Sequence, residues 1–138
     1  MIQNPTHLES SPGGVKVLDE ESPLSTLLRS GIVVALGSDA GPRERNPFLN
    51  MILAITDPSQ PSEALSREQA LRAYTAGGAY SERQEARRGR VAPGMAADLA
   101  VLSQDVLTVP VQQLPVTKSM LTLVDGEVVF EEPLLSAR

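Results

Sequence analysis

The chain has 138 residues, room for one domain rather than an array of them. Its 41% hydrophobic and 21% charged residues suit a globular chain and exclude a disordered one, while two Tyr, two Phe and no Trp leave the core to aliphatic side chains and remove the platforms on which bases stack. Twelve Lys and Arg against 17 Asp and Glu give a formal charge of -5, the wrong sign for neutralising phosphates, and the absence of Cys excludes disulfides, thiolate zinc sites and Cys nucleophiles.

In chain order, residues 8–22 are rich in Ser, Gly, Pro and acid without a period that defines a buried face, so they read as a loop. Pro23 then opens a short amphipathic helix with Leu24, Leu27 and Leu28 at helical spacing and Gly31 just past its end. Residues 32–36, all aliphatic and mostly β-branched, predict a strand buried on both faces of a parallel sheet and ending at Gly37-Ser38-Asp39. This longest aliphatic run is far short of the roughly 20 residues of a membrane helix. Met1-Ile2-Gln3-Asn4-Pro5 also lacks the basic-then-apolar pattern of a leader, so a soluble, cytoplasmic chain is expected.

Asn46 and Pro47 predict the start of a helix that ends at Thr56-Asp57-Pro58. Ser66-Arg67-Glu68-Gln69 is a capping box introducing a second helix with Ala70, Leu71, Ala73 and Tyr74, which Gly77-Gly78 is expected to close. Residues 83–90 are polar and basic and read as a solvated linker rather than an anion site. Beyond Pro93-Gly94 the pattern turns to strands: a buried one over residues 98–102, and a hairpin whose arms are residues 120–124 and 128–130 around Asp125-Gly126, a pair suited to a type I′ turn. The chain thus divides into an α/β part, residues 1–88, and a smaller β part, residues 89–138.

Two residues carry the candidate chemistry. Asp39 follows directly on the buried strand, and the carboxyl ends of such strands are where reacting groups collect; the plain alternative is a turn Asp bonding its own backbone. His7 is the sole histidine, and one histidine does not make a metal site, which takes three or more protein groups.

Taken together, four segments resemble the C-terminal third of a metal-dependent hydrolase of the amidohydrolase superfamily, in its amidohydrolase 3 or YtcJ-like branch. They are Gly31-Ile32-Val33-Val34-Ala35-Leu36-Gly37-Ser38-Asp39, Asn46-Pro47-Phe48-Leu49-Asn50, Ser66-Arg67-Glu68-Gln69-Ala70-Leu71-Arg72-Ala73-Tyr74-Thr75 and Gly89-Arg90-Val91-Ala92-Pro93-Gly94-Met95-Ala96-Ala97-Asp98-Leu99-Ala100-Val101-Leu102-Ser103. Gln3-Asn4-Pro5-Thr6-His7 is similar to the end of that group's seventh barrel strand. The resemblance implies an α/β fold: the last strands and helices of a (β/α)8 barrel over residues 1–88, then part of a β-sandwich over 89–138.

It also implies hydrolysis of a carbon–nitrogen, amide-type bond in a small molecule. Asp39 would be both a contact of a divalent metal, zinc foremost, and the carboxylate that moves the proton of the attacking water, with His7 as a substrate contact. A barrel of this kind takes about 250 residues, so the chain is expected to be a fragment with no metal bound by itself and inactive alone. Self-association, or pairing with the missing barrel strands, is expected of its uncovered edges. The alternative expectation is a non-catalytic remnant acting as an interaction or oligomerisation module.

Overall fold

The computed structural model describes residues 2–3, 7–11, 14–18, 23–37 and 46–133. In order come β1 (Ile2–Gln3), β2 (His7–Ser11), β3 (Gly14–Leu18), α1 (Leu24–Arg29), β4 (Ala35–Leu36), α2 (Pro47–Thr56), α3 (Arg67–Arg72), α4 (Gly78–Ser81), β5 (Leu99–Leu102), β6 (Ser119–Val124) and β7 (Glu127–Glu131). Pro61–Glu63 and Val111–Val116 form 3-10 turns, and Ala73–Gly77 is a π-helical turn joining α3 to α4. β1 pairs with β4 in parallel, β2 with β3 as an antiparallel hairpin, and β5-β6-β7 form an antiparallel sheet in that order. The chain is therefore α/β.

The hairpin β2–β3 corrects the expectation of a loop over residues 8–22. Its register runs from His7 opposite Leu18 to Ser11 opposite Gly14. Val15-Lys16-Val17 alternates as a strand should, but the surrounding Ser, Gly and acid hide the pattern.

α1 starts without a capping side chain of its own, Pro23 being its N-cap. A distant carboxylate takes the role: Glu63 Oε2 accepts from the Thr26 amide at 2.7 Å and Glu63 Oε1 from the Thr26 hydroxyl at 2.6 Å, with Arg29 Nη2 3.8 Å away. At the other end Gly31, at φ +77°, donates to Leu28 O and Ile32 to Leu27 O, the pair of reversed bonds that satisfies the last carbonyls of a helix. The Thr26 bonds hold the Glu63 carboxyl below its ordinary value of 4.5. A depressed carboxyl contributes stability that is complete above its unfolded value and lost as pH falls through the folded one. Melting temperatures measured from pH 7 down to pH 3 should therefore fall more steeply for the native chain than for Glu63→Gln, which starts lower and varies less.

α2 is opened by Asn46, whose Oδ1 accepts from the Phe48 amide at 2.9 Å while its Nδ2 donates to Pro115 O at 2.9 Å, tying the helix start to the second 3-10 turn. The capping box of α3 is complete: Ser66 Oγ accepts from the Gln69 amide at 3.1 Å, and Gln69 Oε1 accepts from the Ser66 amide at 2.8 Å. Losing such a cap costs about 1 kcal/mol, so Ser66→Ala should lower the urea midpoint by that equivalent with the m-value unchanged.

Leu24, Val34, Leu36, Met51, Ala54, Leu65, Ala70 and Ala73 form the core between α1, α2, α3 and β4. Regular pairing on β4 covers only Ala35 and Leu36, and Ile32 and Val33 are 42% and 39% exposed, so the expected five-residue buried strand is buried only from Val34 onward. The helix also runs on to Ser81 instead of closing at Gly77-Gly78. Gly77 is there for proximity: a Cβ on it would collide with the Val34 carbonyl oxygen and lie 3.2 Å from Ala35 Cα. The absent side chain lets the helix backbone rest directly on β4.

The expected hairpin is present as β6 and β7, with Asp125 at φ 52° and Gly126 at φ 85° between them. The strand expected to be buried, β5, is instead part of an open sheet, with Val101 50% exposed. β5 shares a cleft with α3 and α4 on one side and is paired with β6. Residues 83–90 are more than a linker, since Arg88 and Arg87 pair with Asp98 and Asp125 at 3.6 and 3.9 Å. Arg67 fastens the two parts further by donating to the carbonyls of Val106 and Val109.

Candidate active site

Parallel strands of an α/β fold present their carboxyl ends on one side, and reacting groups collect there because the loops that follow are free to vary. In the pair β1–β4, Gln3 stands opposite Leu36, so the chain leaves both strands at the same edge. Asp39 follows Leu36 by three residues in the sequence and lies outside the described residues. His7 follows Gln3 by four and opens β2, opposite Leu18. The structure thus joins the two strands that lead to the two candidate residues.

Among the described residues no group of three or more His, Cys, Asp or Glu could hold a metal ion. His7 is the only histidine of the sequence and there is no cysteine, so among the described residues no donor set fits a divalent cation, which takes at least three protein groups.

Among the described residues two clefts stand out on the surface, and the described ends of β1 and β4, Gln3 and Leu36, are not in the walls of either. One of about 660 Å³ lies between α3, α4 and β5, with Leu71, Tyr74, Ala79, Leu99 and Arg88 on its walls. Within that wall the Tyr74 hydroxyl is buried without a hydrogen-bond partner, and burial pushes its pKa up to about 12, so it stays protonated and is no base. The other, about 630 Å³, is floored by Ile32, Val33 and Val34 beside Gly77. Both are lined mainly by apolar side chains, with Glu82, Arg88 and Asp98 in the first and Arg72 and Glu85 in the second.

Residues 4–130 match the model of the Amidohydro_3 group, described as the amidohydrolase family. The chain belongs to the amidohydrolase family. Among curated relatives it is 33% identical over 116 residues to a Bacillus subtilis (strain 168) protein named as the amidohydrolase YtcJ, covering 78% of this chain and 22% of that one. It is 29% identical over 115 residues to the N-substituted formamide deformylase of Arthrobacter pascens, covering 79% and 21%. The chain therefore spans about a fifth of the length of the curated relatives it matches.

Two solved structures share its fold at 22% identity, each over 79% of this chain: an amidohydrolase from Thermotoga maritima MSB8, with a TM-score of 0.61 over 26% of that chain, and an adenosine deaminase from Xanthomonas campestris with bound zinc, with a TM-score of 0.64 over 28%. At this identity the likeness is one of fold.

Proposed function

We propose that this chain supplies the closing strands of a metal-dependent hydrolase that cleaves carbon–nitrogen, amide-type bonds of small molecules. The observation that carries the reading is the family match over residues 4–130. The parallel β1–β4 pair supports it, because a barrel strand and its neighbour would be joined in that sense. Within the reading, Asp39 takes a proton from the attacking water and returns it to the departing nitrogen, the work of a carboxylate within hydrogen-bond reach of both. His7 contacts the substrate from the neighbouring loop. A bound divalent cation, zinc being the first candidate from the zinc-containing relative, would lower the pKa of that water. Asp39 would be one of its contacts, the others coming from strands beyond the two parallel ones described. The barrel needs eight strands, so activity requires chain in addition to these 138 residues.

The test is a chimera in which this chain replaces the matching segment of the Arthrobacter pascens deformylase, assayed for release of formate from an N-substituted formamide. Turnover above that of the same enzyme with the segment deleted supports the reading. A chimera that folds and takes up metal but has no turnover contradicts it.

A further inference from the structure

The start of α2 is held by a residue that does more than capping needs. Ser, Asp and Asn cap a helix about equally well, because each offers an oxygen to the amides of the first turn. Of the three, Asn alone carries an amide donor besides, and Asn46 uses both groups: Oδ1 accepts from the Phe48 amide at 2.9 Å and Nδ2 donates to Pro115 O at 2.9 Å. The second bond joins groups 69 residues apart, one in the α/β part and one in the β part.

Its acceptor belongs to a closed loop joining β5 to β6. The Ser103 amide donates to Lys118 O at 2.9 Å and the Lys118 amide to Ser103 Oγ at 3.0 Å, which shuts the base of the loop. Inside it Gln104 Nε2 donates to Gln113 O and to Thr117 Oγ1, and Val106, Leu114 and Thr117 are buried. Arg67 of α3 donates to the carbonyls of Val106 and Val109. Residues 103–118 are thus an anchor fastened to α3 independently of Asn46.

Asn46 also stands at the far end of the segment that begins where β4 stops. Leu36 is held by its register with Gln3, and Asp39 comes three residues after Leu36 and seven before Asn46. The chain that carries Asp39 therefore leaves from one fixed point and arrives at another.

We infer that Asn46 is a positioning residue for Asp39: its bond to Pro115 O ties the end of the Asp39 segment to the β part, and the place of the carboxylate depends on that tie. The inference rests on the proposed role of Asp39, and Asn46 itself touches no reacting atom.

Asn46→Ser and Asn46→Asp both keep a capping oxygen and lose the donor, so both should fold. In the active chimera each should lower turnover by about tenfold to a hundredfold, the range in which a displacement of about 1 Å is felt, with KM within about twofold of the parent. For Asn46→Asp, turnover relative to the parent should rise as the pH falls from about 8 to about 5, because a protonated carboxyl regains an O–H that can donate to Pro115 O while its other oxygen still caps. A residue that only caps gives no such rise, since protonation removes the charge that suits a helix start. In the 138-residue chain alone, either variant should quicken amide hydrogen exchange at residues 38–46 about fivefold and leave residues 48–56 within about twofold. Unchanged exchange at residues 38–46, turnover of both variants within about twofold of an active parent, or a turnover ratio that falls with pH would each overturn the inference. A parent chimera without turnover counts against the proposed reaction instead, and the exchange measurement then decides whether the tie exists.

Discussion

Asp39→Asn, introduced into the active chimera, is expected to lower turnover by about 100- to 10,000-fold, the contribution typical of a general acid-base group. Asn keeps the size and hydrogen-bonding outline of Asp and removes only the charge that accepts a proton. Packing around it should hardly change, so the melting temperature should stay within a degree or two of the parent. The turn reading of Asp39-Ala40-Gly41-Pro42 makes the opposite forecast, because Asn serves in turns about as well as Asp: turnover nearly intact with a small loss of stability. Turnover and melting measured on the same variant separate the two.

The largest effect on stability is expected at Gly77. A methyl there meets the Val34 carbonyl oxygen and the Ala35 Cα, both backbone atoms of the strand beneath, and no rotamer change relieves that contact. Overpacking costs roughly 1–3 kcal/mol where side chains can adjust, so Gly77→Ala should reach the upper end of that range. For a chain of this length that is a fall in melting temperature of roughly 10 °C. Gly78 is the matched control. It is helical, at φ -58°, and has open space where its Cβ would go. Gly78→Ala should therefore stabilise by about 0.5–1 kcal/mol through the lower conformational entropy of the unfolded chain. Two adjacent glycines with opposite signs in one calorimetric experiment would establish that helix and strand touch through backbone. Equal and small effects would contradict it.

Local chemistry was legible wherever a side chain answers to its own neighbours. Asn46 with Pro47 and Ser66 with Gln69 satisfy backbone groups within four residues, Asp125-Gly126 takes the positive φ angles its turn needs, and each stands in the structure as its sequence predicts. Features that depend on distant partners were not legible. The cap of α1 comes from Glu63, 37 residues from Thr26, and no local pattern announces it. Gly77-Gly78 looks like a helix end, and only the closeness of Val34 explains why a glycine sits within a helix that continues. Burial of residues 32–36 and 98–102 was overestimated for one reason: an aliphatic run records the burial for which a strand is suited, while actual burial depends on neighbours along its edges and faces.

Of the candidate site only a position was legible, Asp39 directly after the aliphatic run of residues 32–36, while the strand before His7 came from the family resemblance and not from a pattern in residues 1–7. Its chemistry was not, since Asp39 and one histidine are too few groups to define a reaction without the family resemblance.

The central claim is that this chain carries one carboxylate of a metal-dependent site and not the whole of it. Isothermal titration of zinc into the 138-residue chain, beside the same titration into the chimera, tests it directly. The account predicts stoichiometric uptake by the chimera and no tight site on the chain alone. Tight one-to-one binding of zinc by the isolated chain would contradict it, because a complete ligand set would then have to exist within a sequence that has a single histidine and no cysteine.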